Sequence, residues 1–213
     1  MNGDQKKMLD RIADLEAEVA VLERDLIHDS LTGLKTRAFF DETASDLLKL
    51  LGESDDRRQN VGPQSVSLIF FDIDRFKSIN DTHGHLTGDL VIRQVASTIK
   101  YNFRETDIVA RWGGEEFVAL LPGASEALAQ IEAEKIREMV SKLKFKDHPN
   151  LQVTLSAGVA EAVPGLTLEQ FVGQADKALY WAKEHGRNMI VAFSGLESAE
   201  KSLPQKLVLG EVA

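Results

Sequence analysis

At 213 residues the chain is long enough to bury one sizeable core and carry an appendage. Its net charge of -9, from 25 basic and 34 acidic residues, argues against a general nucleic-acid binder and against docking on an anionic membrane surface. It contains no cysteine, which excludes disulfides, thiolate metal sites and thiol catalysis together. No apolar run approaches the ~20 residues of a membrane span, and the N-terminus is too polar for a signal peptide, so the expected location is the cytoplasm.

Met8, Ile12, Leu15, Val19, Leu22 and Leu26 recur at alternating intervals of four and three. Flanked by Asp, Glu, Lys and Arg, this heptad seam predicts a parallel coiled coil over residues 1–28. So short a helix is marginal alone and acts with the domain behind it. The seam is narrow, which favours self-association over packing on its own domain.

Asp29-Ser30-Leu31-Thr32-Gly33-Leu34 interrupts the heptads as a turn, with Asp29 or Ser30 able to cap the next helix. That helix is predicted from about Thr36 to Leu51, then a surface loop from Gly52 to Ser65. Val66 to Phe71 fits a central strand. Arg75 to His83 and Leu86 to Tyr101 read as helices separated by Gly84. Ile108-Val109-Ala110 and Phe117 to Leu121 are strand-length runs around a β-hairpin tip, Gly113-Gly114-Glu115-Glu116. The glycines are expected to supply positive φ there and to open the backbone to a ligand. Ser125 to Leu143 reads as a helix with Ala127, Leu128, Ile131, Ala133, Ile136, Met139 and Val140 inward. Leu151 to Ala160 reads as a strand, Leu168 to His185 as a helix and Met189 to Phe193 as a last strand. The expected domain covers 29–195 and residues 196–213 form a loose tail. The fold class is α/β, a central, mostly antiparallel sheet of about five strands flanked by helices and preceded by the coiled-coil helix.

Phe71-Asp72-Ile73-Asp74-Arg75-Phe76-Lys77 places acids where a strand ends, the usual ligand end of α/β sheets. Asp72 alone could equally cap the following helix. Facing Glu115 on the adjacent hairpin, it becomes one of two hard oxygen ligands for Mg²⁺, with the Ile73 carbonyl between them and waters and phosphates completing the shell. Asn80 and Asp89 supply the amide and carboxylate that the N1 and N2 donors of guanine require. His83 and His85 lack a third nitrogen or thiolate nearby and are read as turn or cap residues, not metal ligands.

Together, Phe71 to Asp89, Gly113 to Phe117, Asp29 to Leu34, and Ala175 to Tyr180 continuing through Lys183 to Asn188 resemble the GGDEF-domain diguanylate cyclases, over about Asp29 to Phe193. The resemblance implies the palm-like sheet of nucleotidyl cyclases and a bacterial signalling enzyme. It makes Asp72, the Ile73 carbonyl and Glu115 metal ligands for Mg²⁺, which Mn²⁺ can replace. It puts Asn80 and Asp89 on guanine and Lys183 and Arg187 on phosphate. Lys77 and the main-chain amides around Arg75 and Phe76 extend the phosphate side, Gly113 and Gly114 lie against substrate, and Asp74 and Glu116 take supporting roles. Two positions depart from the common pattern: Glu115 stands where many members have Asp, and Thr36 replaces an Asn before Arg37.

The implied reaction joins two GTP molecules into cyclic di-GMP and two pyrophosphates. One domain holds one GTP, so two must meet face to face, which gives the coiled coil its purpose: a homodimer at high effective concentration. Input is expected at that helix, from a regulatory protein docking along it. Arg104-Glu105-Thr106-Asp107, five residues before Gly113, matches the family's product-inhibition R-x-x-D, with Lys135 and Arg137 as candidate secondary contacts. The alternative is a non-catalytic receptor for GTP or cyclic di-GMP acting through protein contacts; it predicts loss of Asp72 or Glu115, and both are present. A cyclase accepting ATP is disfavoured by Asn80 and Asp89.

Overall fold

The computed structural model describes residues 26–52 and 63–196 and, in the N-terminal segment, residues 7, 8, 11, 12, 14–16 and 18. Met8, Ile12, Leu15 and Leu26 of the heptad seam are helical and exposed. Val19, Leu22, most of the 52–65 loop and the tail beyond 196 lie outside the described residues.

The strands are β1 (Lys35–Thr36), β2 (Val66–Ile73), β3 (Ile108–Arg111), β4 (Glu116–Pro122), β5 (Leu155–Glu161) and β6 (Ile190–Ala192). The helices among the described residues are α1 (Arg37–Gly52), α2 (Phe76–His83), α3 (His85–Tyr101), α4 (Glu126–Ser141) and α5 (Leu168–Glu184). They build one six-stranded sheet in the order β1-β3-β4-β2-β5-β6. The inner pairings, β3–β4, β4–β2 and β2–β5, are antiparallel, whereas the edge pairings β1–β3 and β5–β6 are parallel. The sixth strand, β1, is two polar residues long and carries no apolar signal of its own.

β2 is buried along its whole length because helices cover both faces of the sheet. Its side chains alternate between two cores. Ile69, Phe71 and Ile73 pack with Val91, Val95 and Ile99 of α3 and Ala129, Ala133 and Ile136 of α4. Leu68 and Phe70 pack with Phe40 and Ala44 of α1 and Phe171, Ala175 and Leu179 of α5. Asp72 shares the parity of Leu68 and Phe70 and so emerges on the α5 side. α5 starts in a capping box made by Thr167 and Gln170. It lies so close to β5 that a Cβ at Gly158 would collide with the main chain at Ala175 and Leu179. Gly158 pairs with Phe70, two residues before Asp72, so this close approach sets where the end of α5 meets the end of β2.

The α4 expectation is corrected in part. Ala133, Ile136 and Val140 are buried, joined by Ala129, but Ala127, Leu128, Ile131 and Met139 are exposed. Positions 129, 133, 136 and 140 form one helical stripe, and its two alanines let the helix settle close to the sheet. The strand expected to end at Phe193 stops at Ala192, and residues 193–196 make a helical turn. Thr36, the departure before Arg37, accepts the Phe39 N–H at 3.3 Å and donates to the Leu26 carbonyl at 2.7 Å, joining α1 to the end of the N-terminal helix.

Candidate active site

The β2–β4 register sets Asp72 opposite Glu116, and the Ile73 N–H donates to the Glu115 carbonyl at 3.2 Å, so the ladder carries the tip acids to the end of β2. Asp72 is only 4% exposed. Its Oδ2 lies 2.8 Å from Lys183 Nζ, delivered by the last turn of α5. Burial pushes the Asp72 carboxyl up, Lys183 opposes this, Asp74 adds to the rise and Arg187 counters it. Glu115 is raised by burial and then by the charge of Asp72, with Lys183 opposing and Glu116 adding. Glu116 is raised by burial and by Asp72 in the same way. Lys183 and the charge of Asp72 thus bear on both Glu115 and Glu116, and Arg187 bears on Asp72.

Crowded, half-desolvated carboxylates around one lysine fit a divalent cation. Among the described residues no three His, Asp or Glu side chains form a cage for a metal by themselves. Such a donor set suits Mg²⁺, which takes one or two carboxylates and leaves the rest of its octahedron to water and phosphate.

The hairpin tip differs from expectation in one respect. Neither Gly113 nor Gly114 has positive φ; positive-φ glycines occur at other positions, including Gly84 and Gly186. A Cβ at Gly113 would lie 2.5 Å from Glu116 Oε2 and displace that carboxylate, while beside Gly114 there is open space. The tip is held from outside. Arg111 Nε and Nη2 donate to the carbonyls of Gly113 and Gly114 at 3.1 and 2.8 Å, and its Nη1 reaches both Asp29 oxygens at 3.2 and 3.1 Å. Burial raises the Asp29 carboxyl, but hydrogen bonds from Thr32 and the Arg111 guanidinium outweigh it and leave it lowered. Trp112 anchors the tip from below, edge-on to Phe40 and Phe70, with the Arg37 guanidinium 3.9 Å over its ring.

Asn80 and Phe76 share one face of α2 and meet α3 at Gly88, where a Cβ would strike the Asn80 side chain and the Phe76 ring. Asn80 Oδ1 is buried against Gly88 and has no hydrogen-bond partner among the described residues. Asp89 follows Gly88, half-buried, and Lys77 is exposed. α2 starts after Arg75, whose left-handed conformation (φ 56°) turns the chain and leaves no side chain capping the first amides. A cavity of about 350 Å³, lined by Arg75, Ser78, Thr154, Arg187 and Asn188 among others, opens beside this turn.

Arg104 and Asp107 sit at the opposite end of the β3–β4 hairpin from the tip. The Arg104 N–H donates to Asp107 Oδ2 at 2.9 Å and the Asp107 N–H to the Arg104 carbonyl at 3.1 Å, closing a turn. The guanidinium forms no ion pair among the described residues, and cavities of about 350 and 240 Å³ lie on either side. Lys135 pairs with Glu132, which lines the smaller cavity. Arg137 does not turn that way: it forks onto Glu134 and reaches Asn188 Oδ1 at 2.8 Å.

Two contributors carried no assigned contact from sequence. Arg111, just before the glycines, links the tip to Asp29; an Arg beside a Gly-Gly turn was the available signal. Asp74 is buried among neutral donors, and its contact with Asn188, 114 positions along the chain, has no local sequence signal.

The strand-end cluster of acids and cations sits at the end of β2 in a six-stranded α/β domain. Residues 26–189 match the family described as "Diguanylate cyclase, GGDEF domain", and the chain belongs to that family. It is 39% identical over 184 residues to diguanylate cyclase VdcA of Vibrio cholerae, covering 84% of this chain and 51% of that protein. The chain thus spans about half the length of such a relative. The coiled coil and GGDEF domain of DgcB from Caulobacter crescentus, solved with c-di-GMP, superposes with a TM-score of 0.78 at 33% identity, covering 90% of this chain and 100% of that one. Diguanylate cyclase SiaD of Pseudomonas aeruginosa, solved with its activator SiaC, gives 0.69 at 36% identity, covering 89% and 73%.

Proposed function

We propose that this chain is a diguanylate cyclase that condenses two GTP molecules into cyclic di-GMP. The observation that carries the reading is the Asp72–Lys183 pair at 2.8 Å, crowded by Glu115 at the end of β2. Asp72, the Ile73 carbonyl and Glu115 would hold Mg²⁺, or Mn²⁺ in its place. When bound, the metal neutralises phosphate charge and acidifies a coordinated hydroxyl. Asn80 Oδ1 and the Asp89 carboxylate accept the N1 and N2 donors of guanine. Lys183 and Arg187 face the β- and γ-phosphates with Lys77 and the first amides of α2, and Gly113 and Gly114 leave the backbone open to substrate.

In each half-reaction the ribose O3′ of one GTP forms a bond to the α-phosphorus of the other. The bond from that phosphorus to the bridging oxygen breaks, and pyrophosphate leaves. The hydroxyl proton passes to Glu115 directly or through water, and Glu116 supports the charge balance. Two domains must face each other for both bonds to form, and the exposed seam of Met8, Ile12, Leu15 and Leu26 supports a homodimer through the N-terminal helix. The same helix is where a regulatory protein would act, and SiaD with its activator is a precedent within the fold. Among the described residues no helix is long and apolar enough to cross a membrane, in keeping with a cytoplasmic enzyme.

Incubation with GTP and Mg²⁺ is expected to give cyclic di-GMP and pyrophosphate in a ratio of one to two. Binding of GTP with no turnover at any protein concentration would leave the receptor reading instead. Arg104 and Asp107 are assigned to feedback inhibition, so Arg104→Ala should raise the product concentration for half-inhibition by more than about tenfold. Unchanged inhibition in that variant removes the assignment.

A further inference from the structure

Arg187 and Asn188 follow Gly186 in the connection from α5 to β6, and both lie in the left-handed region, with φ of 64° and 49°. Neither is glycine; asparagine tolerates this conformation, but for an arginine it is uncommon and persists where the surroundings hold it. Two groups outside the loop impose it. Asp74, 7% exposed, accepts the Asn188 main-chain N–H at 2.9 Å and the Thr154 hydroxyl at 2.7 Å on Oδ2. Its Oδ1 takes the Ser156 hydroxyl at 2.7 Å. From the far side, Arg137 of α4 donates Nη1 to Asn188 Oδ1 at 2.8 Å, while Nε and Nη2 are fixed on Glu134 at 2.8 and 2.6 Å. The Arg187 N–H itself closes onto the Ala182 carbonyl at 3.0 Å.

We propose that Asp74 and Arg137 are positioning residues which clamp Asn188 from two sides and thereby aim Arg187 at the terminal phosphates of GTP. The proposal rests on the assignment of Arg187 to phosphate. Among the described residues the Asp74 carboxylate accepts from two hydroxyls and one main-chain amide, all neutral, and forms no ion pair. An anion beside a triphosphate site is unfavourable by charge alone, so these three hydrogen bonds are its contribution. What it supplies is acceptor geometry, through which the end of β2 fixes both the Asp72 cluster and the Arg187 loop. A main chain held in one conformation presents the Arg187 side chain from a fixed point, so less ordering is left to be done on binding.

Charge and clamp predict opposite signs, which makes the test sharp. Removing an anion near the phosphates should tighten triphosphate binding by electrostatics alone, whereas removing the clamp should weaken it. The experiment measures binding of 3′-deoxy-GTP, which cannot condense, and of GMP, to the full chain with Mg²⁺ by calorimetry. Asp74→Ala is expected to weaken 3′-deoxy-GTP about tenfold and GMP less than about twofold. Asp74→Asn should stay close to the parent, since its amide oxygen can face Asn188 while its NH₂ meets the Ser156 hydroxyl turned to accept. Arg137→Lys keeps the charge but loses the fork, and should weaken 3′-deoxy-GTP about threefold. It keeps the charge on a partly buried stem and leaves the sheet untouched, so it carries the test if Asp74→Ala does not fold. Adding Arg137→Lys to Arg187→Ala should cause no further loss.

Tighter 3′-deoxy-GTP binding in Asp74→Ala, equal losses for GMP, or additive losses in the double variant would overturn the clamp. If Arg187→Ala binds 3′-deoxy-GTP like the parent, the phosphate assignment fails first and takes the clamp with it. If Arg187→Ala weakens binding but Asp74→Ala and Arg137→Lys do not, only the clamp fails.

Discussion

The middle of β2 and its carboxyl end are one strand under two regimes. From Val66 to Phe71 nearly every side chain is apolar and buried against helices on both faces, while at Asp72 a buried carboxylate is paired with Lys183 and raises the carboxyls of Glu115 and Glu116. The first part is settled by packing, and the second is held away from its electrostatic optimum by the packing behind it. Local conflict of this kind marks a functional site on an otherwise consistent fold. The comparison can be broken at either end, because the two regimes predict different losses from substitutions a few residues apart.

The largest effect is expected at the strand end and should fall on turnover. Asp72→Asn, nearly isosteric, should lower cyclic di-GMP formation by at least about a thousandfold by removing a hard anionic ligand. Production of the dinucleotide under saturating GTP and Mg²⁺ measures this. A variant within tenfold of the parent would mean that the crowded acids are structural.

Next comes the middle of the sheet, where the loss should fall on stability. Gly158 touches α5 through main chain alone, so Gly158→Ala forces the helix away from β5 and is expected to cost about 3 kcal/mol in urea unfolding. Because the same contact delivers Lys183, turnover of the folded fraction should fall too. A stable, fully active Gly158→Ala would show that α5 is free to slide, and that its approach does not set the site.

Asn80 combines the two regimes in one residue. Its Oδ1 is buried without a partner among the described residues, so Asn80→Ala should raise the KM for GTP about tenfold while leaving the unfolding midpoint unchanged or slightly higher. A large drop in the midpoint would show instead that the amide is part of the α2–α3 packing.

How much of this could be read from the chain divides along the same line. The β3–β4 hairpin, β2 and the order of the helices were legible because alternation, apolar runs and glycines report local geometry directly. Asp72, Glu115, Lys183 and Arg187 were legible as motifs; the β2–β4 pairing brings the hairpin tip to the end of β2, and the last turn of α5 brings Lys183 to Asp72. β1 was not, since Lys35 and Thr36 pair with β3 without an apolar face to announce them. The sheet-facing stripe of α4 was partly misread because the exposed Leu128, Ile131 and Met139 outweigh the buried Ala129 and Ala133 on any hydrophobicity scale. Asp29–Arg111 and Asp74–Asn188 join residues 82 and 114 positions apart, and no local pattern encodes such a contact.

The smallest effect has the sharpest sign. Burial and the charge of Asp72 raise the Glu115 carboxyl in the folded protein, so the folded state binds a proton more tightly than the unfolded chain. Its contribution without metal is therefore most favourable at acid pH and is lost as pH rises from the ordinary carboxylate range through the raised value. Asp29 runs the other way: its lowered carboxyl stabilises at neutral pH, and that stability is lost on acidification. Glu115→Gln removes the repelling charge and keeps the volume. In EDTA near neutral pH it should melt about 2 °C above the parent, a gain under 1 kcal/mol after allowing for solvent screening, and the gap should close on acidification. Mg²⁺ should reverse the order, stabilising the parent and leaving the variant unmoved. If Glu115→Gln melts lower than the parent in EDTA, the glutamate is held by attraction to Lys183, and the end of β2 is as settled as its middle.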